Sequence, residues 1–268
     1  MKKNMSVGYK KYLRKKNGQK IFILSTQIGI LVFIISLWEI FARLNIIDTF
    51  IMSSPSRIIT TISELYSSGN LFYHIFTTLS EALIGFFIAT IGGTLIAIIL
   101  WWNDTLRRIL DPYLVVLNSL PKIALGPIII IWVGVGTSAI VTMDILIMII
   151  ISIITMLNTF NQVDESKIML LKSMNASKFQ ILTKLILPHS LMEFISLLKI
   201  NVGLTWVGTI MGEYLVSKAG LGYLIIYGSQ IFNLDLVMAS TILLCILAAL
   251  MYFIVAFIEK MVNKKLNN

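Results

Sequence analysis

Charged residues are scarce in this sequence. Asp, Glu, Lys and Arg make up 13% of the 268 residues, whereas hydrophobic residues make up 57%. Soluble domains usually carry about 25% charged residues. So few charges cannot cover a surface that faces water. We therefore expect an integral membrane protein, with the lipid bilayer as its main solvent.

Residues that form disulfides, bind metals or catalyse reactions are equally rare. The single cysteine, Cys245, lies within an apolar run, which excludes an intramolecular disulfide and gives no support for a metal cluster. Only two histidines occur, His74 and His189, and they are far apart in sequence. No Walker sequence, no His-Glu-x-x-His and no nucleophile with a suitable base occur. We therefore expect no catalytic residue, no metal and no cofactor in this chain.

Long apolar runs dominate what is present. A helix needs about 20 residues to cross the hydrocarbon layer. The sequence predicts six spans, at residues 21–42, 74–102, 114–133, 139–159, 186–211 and 235–258. We expect an all-α, polytopic membrane protein with a basic segment at 1–20, one transmembrane domain at 21–260 and a tail at 261–268. The basic first segment also argues against a cleavable signal peptide.

The positive charges are concentrated on one side of these spans. Seventeen of the 22 Lys and Arg fall in residues 1–20, 103–108, 161–185 and 259–268, whereas the opposite side holds three. Because positively charged loops stay in the cytoplasm, both termini are predicted to be cytoplasmic. The net charge of +9 is explained by this distribution and by anionic lipid, without a nucleic-acid partner.

The most distinctive polar segment covers residues 161–188, between the fourth and fifth spans. It predicts two short amphipathic helices separated by Asn175-Ala176, since Asn tolerates the left-handed conformation that a sharp turn needs. Pro188 sits where a new span can begin, because a helix loses nothing from a missing N–H in its first turn. A helical hairpin joined to a span in this way can transmit force from a soluble partner.

This segment resembles the EAA loop of ABC importer permeases. The family pattern is Glu-Ala-Ala, three residues, Gly, nine residues, Ile, one residue and Leu-Pro. Alignment on Leu187-Pro188 places Leu185 at the Ile position and Asn175 at the Gly position. Met169-Leu170-Leu171 replaces the Glu-Ala-Ala triplet.

Most of the chain after about residue 30 is similar to the nitrate, sulfonate and taurine branch of these permeases. The matching stretches are Trp38-Glu39, Ser54-Pro55-Ser56, Thr78-Leu79, Gly85-Phe86, residues 120–127, residues 131–136, Trp206, Glu213 and residues 220–225. Two positions depart from the branch, because Glu81 and Asn118 stand where many relatives have Arg.

The resemblance implies a MetI-like type I ABC importer permease in the plasma membrane. It implies a homodimer, two ABC ATPase subunits that bind ATP and Mg, and an extracytoplasmic substrate-binding protein. Transport would proceed by alternating access. The residues expected to contact the ATPase are Ser173, Met174, Asn175, Ala176, Ser177, Lys178, Phe179, Leu185, Leu187 and Pro188.

Candidate pathway or gate residues follow from the resemblance and from charges and prolines in the spans. They are Asn118, Pro121, Lys122, Pro127, Trp206 and Glu213. Two prolines six residues apart break the helical hydrogen-bond ladder, so the third span either lines a cavity or is simply kinked. Lys122 favours an anionic substrate, and Lys199 is expected to snorkel or to pair with Glu193. Gly85, Gly92 and Gly93 are expected to be packing contacts between helices.

The expected substrate is a small organic anion such as an aliphatic sulfonate, taurine or nitrate. The alternative is a thiamine pyrimidine precursor or a related metabolite. Two other classes were weighed. A membrane sensor or scaffold does not explain the spacing of residues 161–188, and an ion-coupled carrier should show broken helices in both halves of the chain.

Overall fold

A computed structural model describes residues 7–266 of the chain. The first six residues of the predicted basic segment and the last two of the predicted tail therefore lie outside the described part. The helices are α1 (Val7–Arg43), α2 (Thr49–Met52), α3 (Pro55–Ser67), α4 (Asn70–Trp102), α5 (Asp104–Ser119), α6 (Gly126–Val133), α7 (Thr137–Asn161), α8 (Glu165–Ser173), α9 (Lys178–Ile181), α10 (Leu187–Val216), α11 (Leu221–Gln230) and α12 (Leu234–Leu266). The described residues contain no strand, so the all-α prediction is confirmed.

Five of the six predicted spans correspond to long apolar helices, and the third corresponds to a bent pair of helices. Within residues 7–266, five segments are long and apolar enough to cross a membrane, and α5 with the helical segment 122–133 makes a sixth if that pair is one span. The pair is bent by 87°. The break predicted within 114–133 is therefore confirmed, and the helix before it, α5, begins at Asp104, earlier than the predicted start. Leu120 is extended (ψ 141°) because the ring of Pro121 disfavours the helical conformation in the residue before it.

The interior of the protomer is built from α4, α7 and α10, and the contacts of α7 with the other two are the most extensive between helices of the described chain. Small residues allow these helices to approach closely in lipid. A β-carbon built on Gly93 would lie 2.5 Å from the Cβ of Ser152 in α7, and one on Gly212 would lie 3.0 Å from the Cα of Ile140. The packing role predicted for Gly85 and Gly93 is confirmed, whereas the position of Gly92 is nearly open, with its nearest neighbour atom at 3.9 Å.

Polar side chains join the same three helices from inside. Asn201 of α10 is fully buried and donates to the hydroxyls of Thr90 in α4 (2.8 Å) and Ser152 in α7 (2.9 Å). Nearer the other end, Thr209 donates to the buried carboxyl of Asp144 at 2.8 Å. These hydrogen bonds join polar groups that lipid cannot hydrogen-bond. They therefore hold the three helices in one register.

Lys199 pairs differently from the prediction. Its ammonium lies 2.5 Å from a carboxylate oxygen of Glu259 and thereby joins α10 to α12. The predicted pairing with Glu193 is wrong, because residues six apart on a helix do not lie on one face. The true partner is 60 positions away in sequence, and no local pattern indicates it.

The adjacent glycines of α4 provide a matched test of this packing. Gly93→Ala should lower the free energy of unfolding by about 1–3 kcal/mol, because the new methyl group collides with α7. Gly92→Ala should be neutral or stabilising by up to about 1 kcal/mol, because Ala favours helix and the space is open. Thermal unfolding of both variants in detergent measures the difference. Equal melting temperatures for the two variants would contradict the close approach of α4 and α7.

Candidate functional site: a helical hairpin and a broken helix

The hairpin formed by α8 and α9 turns at Asn175. Its φ angle is +62°, so the predicted left-handed turn is confirmed. The N–H of Asn175 donates to the carbonyl of Lys172 (2.9 Å), and the N–H of Ala176 donates to that of Leu171 (3.0 Å). These two bonds form a Schellman motif, which satisfies the last carbonyls of α8 and fixes the angle of the turn.

Local caps fix the start of each hairpin helix. Ser177 and Gln180 form a capping box, with the Gln180 N–H donating to the Ser177 hydroxyl (3.2 Å) and the Ser177 N–H donating to Oε1 of Gln180 (2.8 Å). Asp164 caps α8, and the donated N–H of Ser166 holds the pKa of that carboxyl below its ordinary value. The Ser-x-x-Gln spacing is the sequence signal for this cap.

The hairpin runs without a break into the fifth span. Residues Leu182–Ile186 form a π-helical turn between α9 and α10, and Pro188 occupies the first turn of α10. A proline ring within a continuous helix clashes with the carbonyl four residues earlier, and the wider π-turn accommodates it. α10 begins at Leu187, one residue after the predicted start of the fifth span at 186. Residues Lys178–Val216 form one helical segment.

The two faces of the hairpin differ. Ile181, Leu182 and Ile186 are buried against the ends of α4, α5 and α7, and the half-buried Ala176 and Leu185 pack against the same cluster. The opposite face is apolar and exposed. Its large side chains are Met169, Leu170, Met174 and Phe179, each more than 60% exposed.

The remaining predicted coupling residues lie around this exposed face. Ser173, Asn175, Ser177, Leu187 and Pro188 are exposed. Lys178 differs, because its ammonium donates a hydrogen bond within the chain, to the carbonyl oxygen of Trp102 at 2.6 Å.

The broken helix carries four of the six candidate pathway residues. Pro121 separates α5 from a short 3₁₀ turn at Lys122–Leu125, and Pro127 lies in the first turn of α6. The Lys122 ammonium donates to Oδ1 of Asn118 at 3.3 Å. This region presents a wide apolar surface, whose exposed members are Val115, Val116, Leu117, Leu120, Ile123, Ile128, Ile131, Trp132 and Val133.

The other two candidates, Trp206 and Glu213, do not belong to this surface. Trp206 is buried in a cluster with helices α4, α11 and α12. Glu213 is 2% exposed and accepts a hydrogen bond from the N–H of Gly222 at 2.5 Å. Both side chains lie inside the protomer, and their role as pathway or gate residues stays a prediction.

Glu213 belongs to a buried polar group that fixes the turn before α11. The N–H groups of Gly220 and Leu221 donate to Nδ1 of His74 (3.0 Å) and the hydroxyl of Thr78 (2.7 Å), both in α4. Gly220 has a φ of +112°, and a side chain there would collide with the Glu213 carboxyl. The sequence contained the Gly220-Leu221-Gly222 signal but gave no indication of its partners in α4.

Comparison with known proteins agrees with this architecture. Residues 85–268 match the family described as the binding-protein-dependent transport system inner membrane component. An aliphatic sulfonates transport permease protein of Bacillus subtilis is 27% identical over 96% of this chain and 93% of its own length. A formylaminopyrimidine transport permease protein of Halalkalibacterium halodurans is 30% identical over 70% of this chain and 74% of its own.

Solved structures show the same fold. The MetNI methionine ABC transporter in an inward-facing conformation gives a TM-score of 0.64 at 21% identity, covering 73% of this chain and 97% of that chain. A bacterial alginate ABC transporter in complex with a periplasmic protein gives 0.67 at 14% identity, covering 95% and 98%. From its helices, its hairpin and these matches, the chain belongs to the family of inner membrane components of binding-protein-dependent ABC transport systems.

Proposed function

We propose that two copies of this chain form the pathway of an ATP-driven importer, and that a separate ATPase subunit docks on the hairpin of α8 and α9. The exposed apolar face of that hairpin is the observation that carries the proposal. Several large apolar side chains exposed on one loop indicate a protein partner, because water does not solvate them favourably. The chain contains no nucleotide-binding sequence, so ATP and Mg belong to the partner.

The proposed orientation places the hairpin in the cytoplasm and both termini on the same side. The positive charges support it, since residues 103–108 and 161–185 are both basic. The contact between Lys178 and Trp102 brings these two segments to one end of the protomer. At the opposite end Arg57 pairs with Asp235 at 2.6 Å, which joins α3 to the start of α12.

The pathway is proposed to lie along the broken helix, between two copies of the chain. Non-helical backbone at membrane depth requires cover by protein or contact with a water-filled cavity. A second copy placed over the exposed apolar residues of α5 and α6 supplies the cover. Asn118 and Lys122 then become polar groups of the cavity, together with the backbone at Pro121 and Pro127.

The proposed substrate is a small organic anion, of the aliphatic sulfonate or taurine type. Relatives named for transport of sulfonates and taurine support this class. The Lys122 ammonium in the broken helix supplies a positive charge for it. Import of a thiamine-type pyrimidine remains the second candidate, because a relative named for formylaminopyrimidine transport is 30% identical.

Cysteine labelling tests the orientation. We expect Ser67→Cys to react with a membrane-impermeant maleimide in intact cells, and Ser173→Cys to react only after permeabilisation, both in a Cys245→Ser background. In the proposed orientation Ser67, the last residue of α3, lies outside, and Ser173, the last residue of α8, lies in the cytoplasm. Reaction of Ser173→Cys in intact cells would reverse the orientation.

Disruption of the hairpin turn tests the docking of the ATPase. Ala176→Pro removes the N–H that donates to Leu171 and forces Asn175 away from its left-handed conformation. Insertion in the membrane should persist, while co-purification of the ATPase and uptake should fall together, by about tenfold for each 1.4 kcal/mol of lost contact.

Ala176→Gly is the matched control, because it keeps the N–H and tolerates the turn. It should retain at least most of the ATPase binding. Thermal unfolding of both variants separates a local defect of the hairpin from loss of the fold. Full ATPase binding by Ala176→Pro would show that the hairpin is an ordinary connector on the membrane surface.

A further inference from the structure

Lys178 makes an unusual set of contacts for an exposed residue at the start of a short helix. Its Nζ lies 2.6 Å from the carbonyl oxygen of Trp102. The same atom lies 5.6 Å from the ring centroid of Trp101 and 5.7 Å from that of Trp102. The side chain thus reaches from α9 to the last turn of α4, 76 positions earlier in the sequence.

The end of α4 offers a favourable place for a cation. Trp102 is the last residue of the helix, where carbonyl groups lack helical partners and carry partial negative charge. In an uninterrupted helix its carbonyl would accept from the N–H of Leu106, but that N–H donates to the side chain of Asn103 at 3.1 Å. Two aromatic rings add cation–π attraction. The ammonium therefore fills a site that α4 leaves open.

We propose that Lys178 is a positioning residue that fastens the coupling hairpin to α4, so that the hairpin moves α4 as well as α10. The inference rests on the proposed docking of an ATPase to that hairpin. The connection to α10 is covalent, through the π-turn. The connection to α4 consists of the Lys178 side chain and of the apolar cluster that Ile181, Leu182 and Ile186 share with the ends of α4, α5 and α7.

The other end of α4 gives this connection a consequence. α4 contains 33 residues and is about 50 Å long, enough to cross the membrane. Near its outer end, His74 and Thr78 accept hydrogen bonds from the turn at Gly220 and Leu221. One continuous helix thus contacts the hairpin at one end and the turn at Gly220 at the other.

A distance measurement on the chain alone tests the positioning. Spin labels at Ile99→Cys in α4 and Met174→Cys in the hairpin, in a Cys245→Ser background, report the distance between the two elements. Both residues are exposed, and dilution with unlabelled chain restricts the signal to one protomer. Lys178→Met should broaden the distance distribution, because the fastening is lost. Lys178→Arg should restore it, since a guanidinium also donates to a carbonyl and stacks on Trp.

A second measurement tests the consequence for coupling in the complex with the ATPase. Lys218→Cys places a thiol beside the outer turn, and its reaction rate with an impermeant maleimide is compared with and without ATP plus vanadate in proteoliposomes. The rate in the parent should change by about fivefold or more, which is the ordinary range of coupling between sites. Lys178→Met should abolish most of this change while ATPase binding persists. Lys184→Met is the control, because it removes the same charge from an exposed position of the same segment.

The outcomes separate this proposal from the proposed function. An unchanged distance distribution in Lys178→Met overturns the positioning role, whether or not an ATPase binds. A broadened distribution with an undiminished ATP-driven change at position 218, or an equal loss in Lys184→Met, overturns the coupling role. Failure of the parent chain to bind an ATPase would overturn the proposed function and with it the coupling role, while the distance measurement would still decide where Lys178 holds the hairpin.

Discussion

The hydrocarbon core of a membrane contains no water to pair with polar groups, and most features of this protein follow from that constraint. In the interior of the protomer, side chains of different helices form hydrogen bonds with one another and with backbone groups. Asn201 joins α4, α7 and α10, Thr209 bonds Asp144, and the turn at Gly220 is held by His74 and Thr78. At the broken helix, the same constraint requires partners from outside the protomer. The bend at Pro121 lies beside a broad exposed apolar surface, which a second copy and a shared cavity would cover.

The hairpin of α8 and α9 also pairs its backbone polar groups with groups of its own chain. Three local features stiffen its connection to the spans: the Schellman turn at Asn175, the capping box at Ser177, and the π-turn that accommodates Pro188. A flexible loop would absorb the movement of a partner. A helix that continues from the hairpin through the fifth span would transmit that movement, as the proposed function requires.

Features that depend on local sequence could be predicted. Helix length follows from apolar runs, and the left-handed turn follows from Asn175. The break of the third span was visible in Pro121 and Pro127, but its 87° bend was not, because a proline specifies which bonds are lost and not where the chain goes next. Contacts between distant segments could not be predicted from one sequence. Lys199 with Glu259 and Lys178 with Trp102 pair residues 60 and 76 positions apart. The charge of Glu213 and its place near the end of a span indicated an exposed gate residue. Only the packing of α4, α10 and α11 shows that it is buried.

Disulfide cross-linking at the broken helix tests the central claim most directly, namely that two copies enclose the pathway there. Asn118→Cys is introduced in a Cys245→Ser background, and the complex with the ATPase is oxidised and resolved on a non-reducing gel. The account predicts a covalent dimer that forms in the membrane and in the purified complex and is dissociated by a reducing agent. A chain that stays monomeric after oxidation, while native mass spectrometry finds one copy bound to its ATPase, would contradict it.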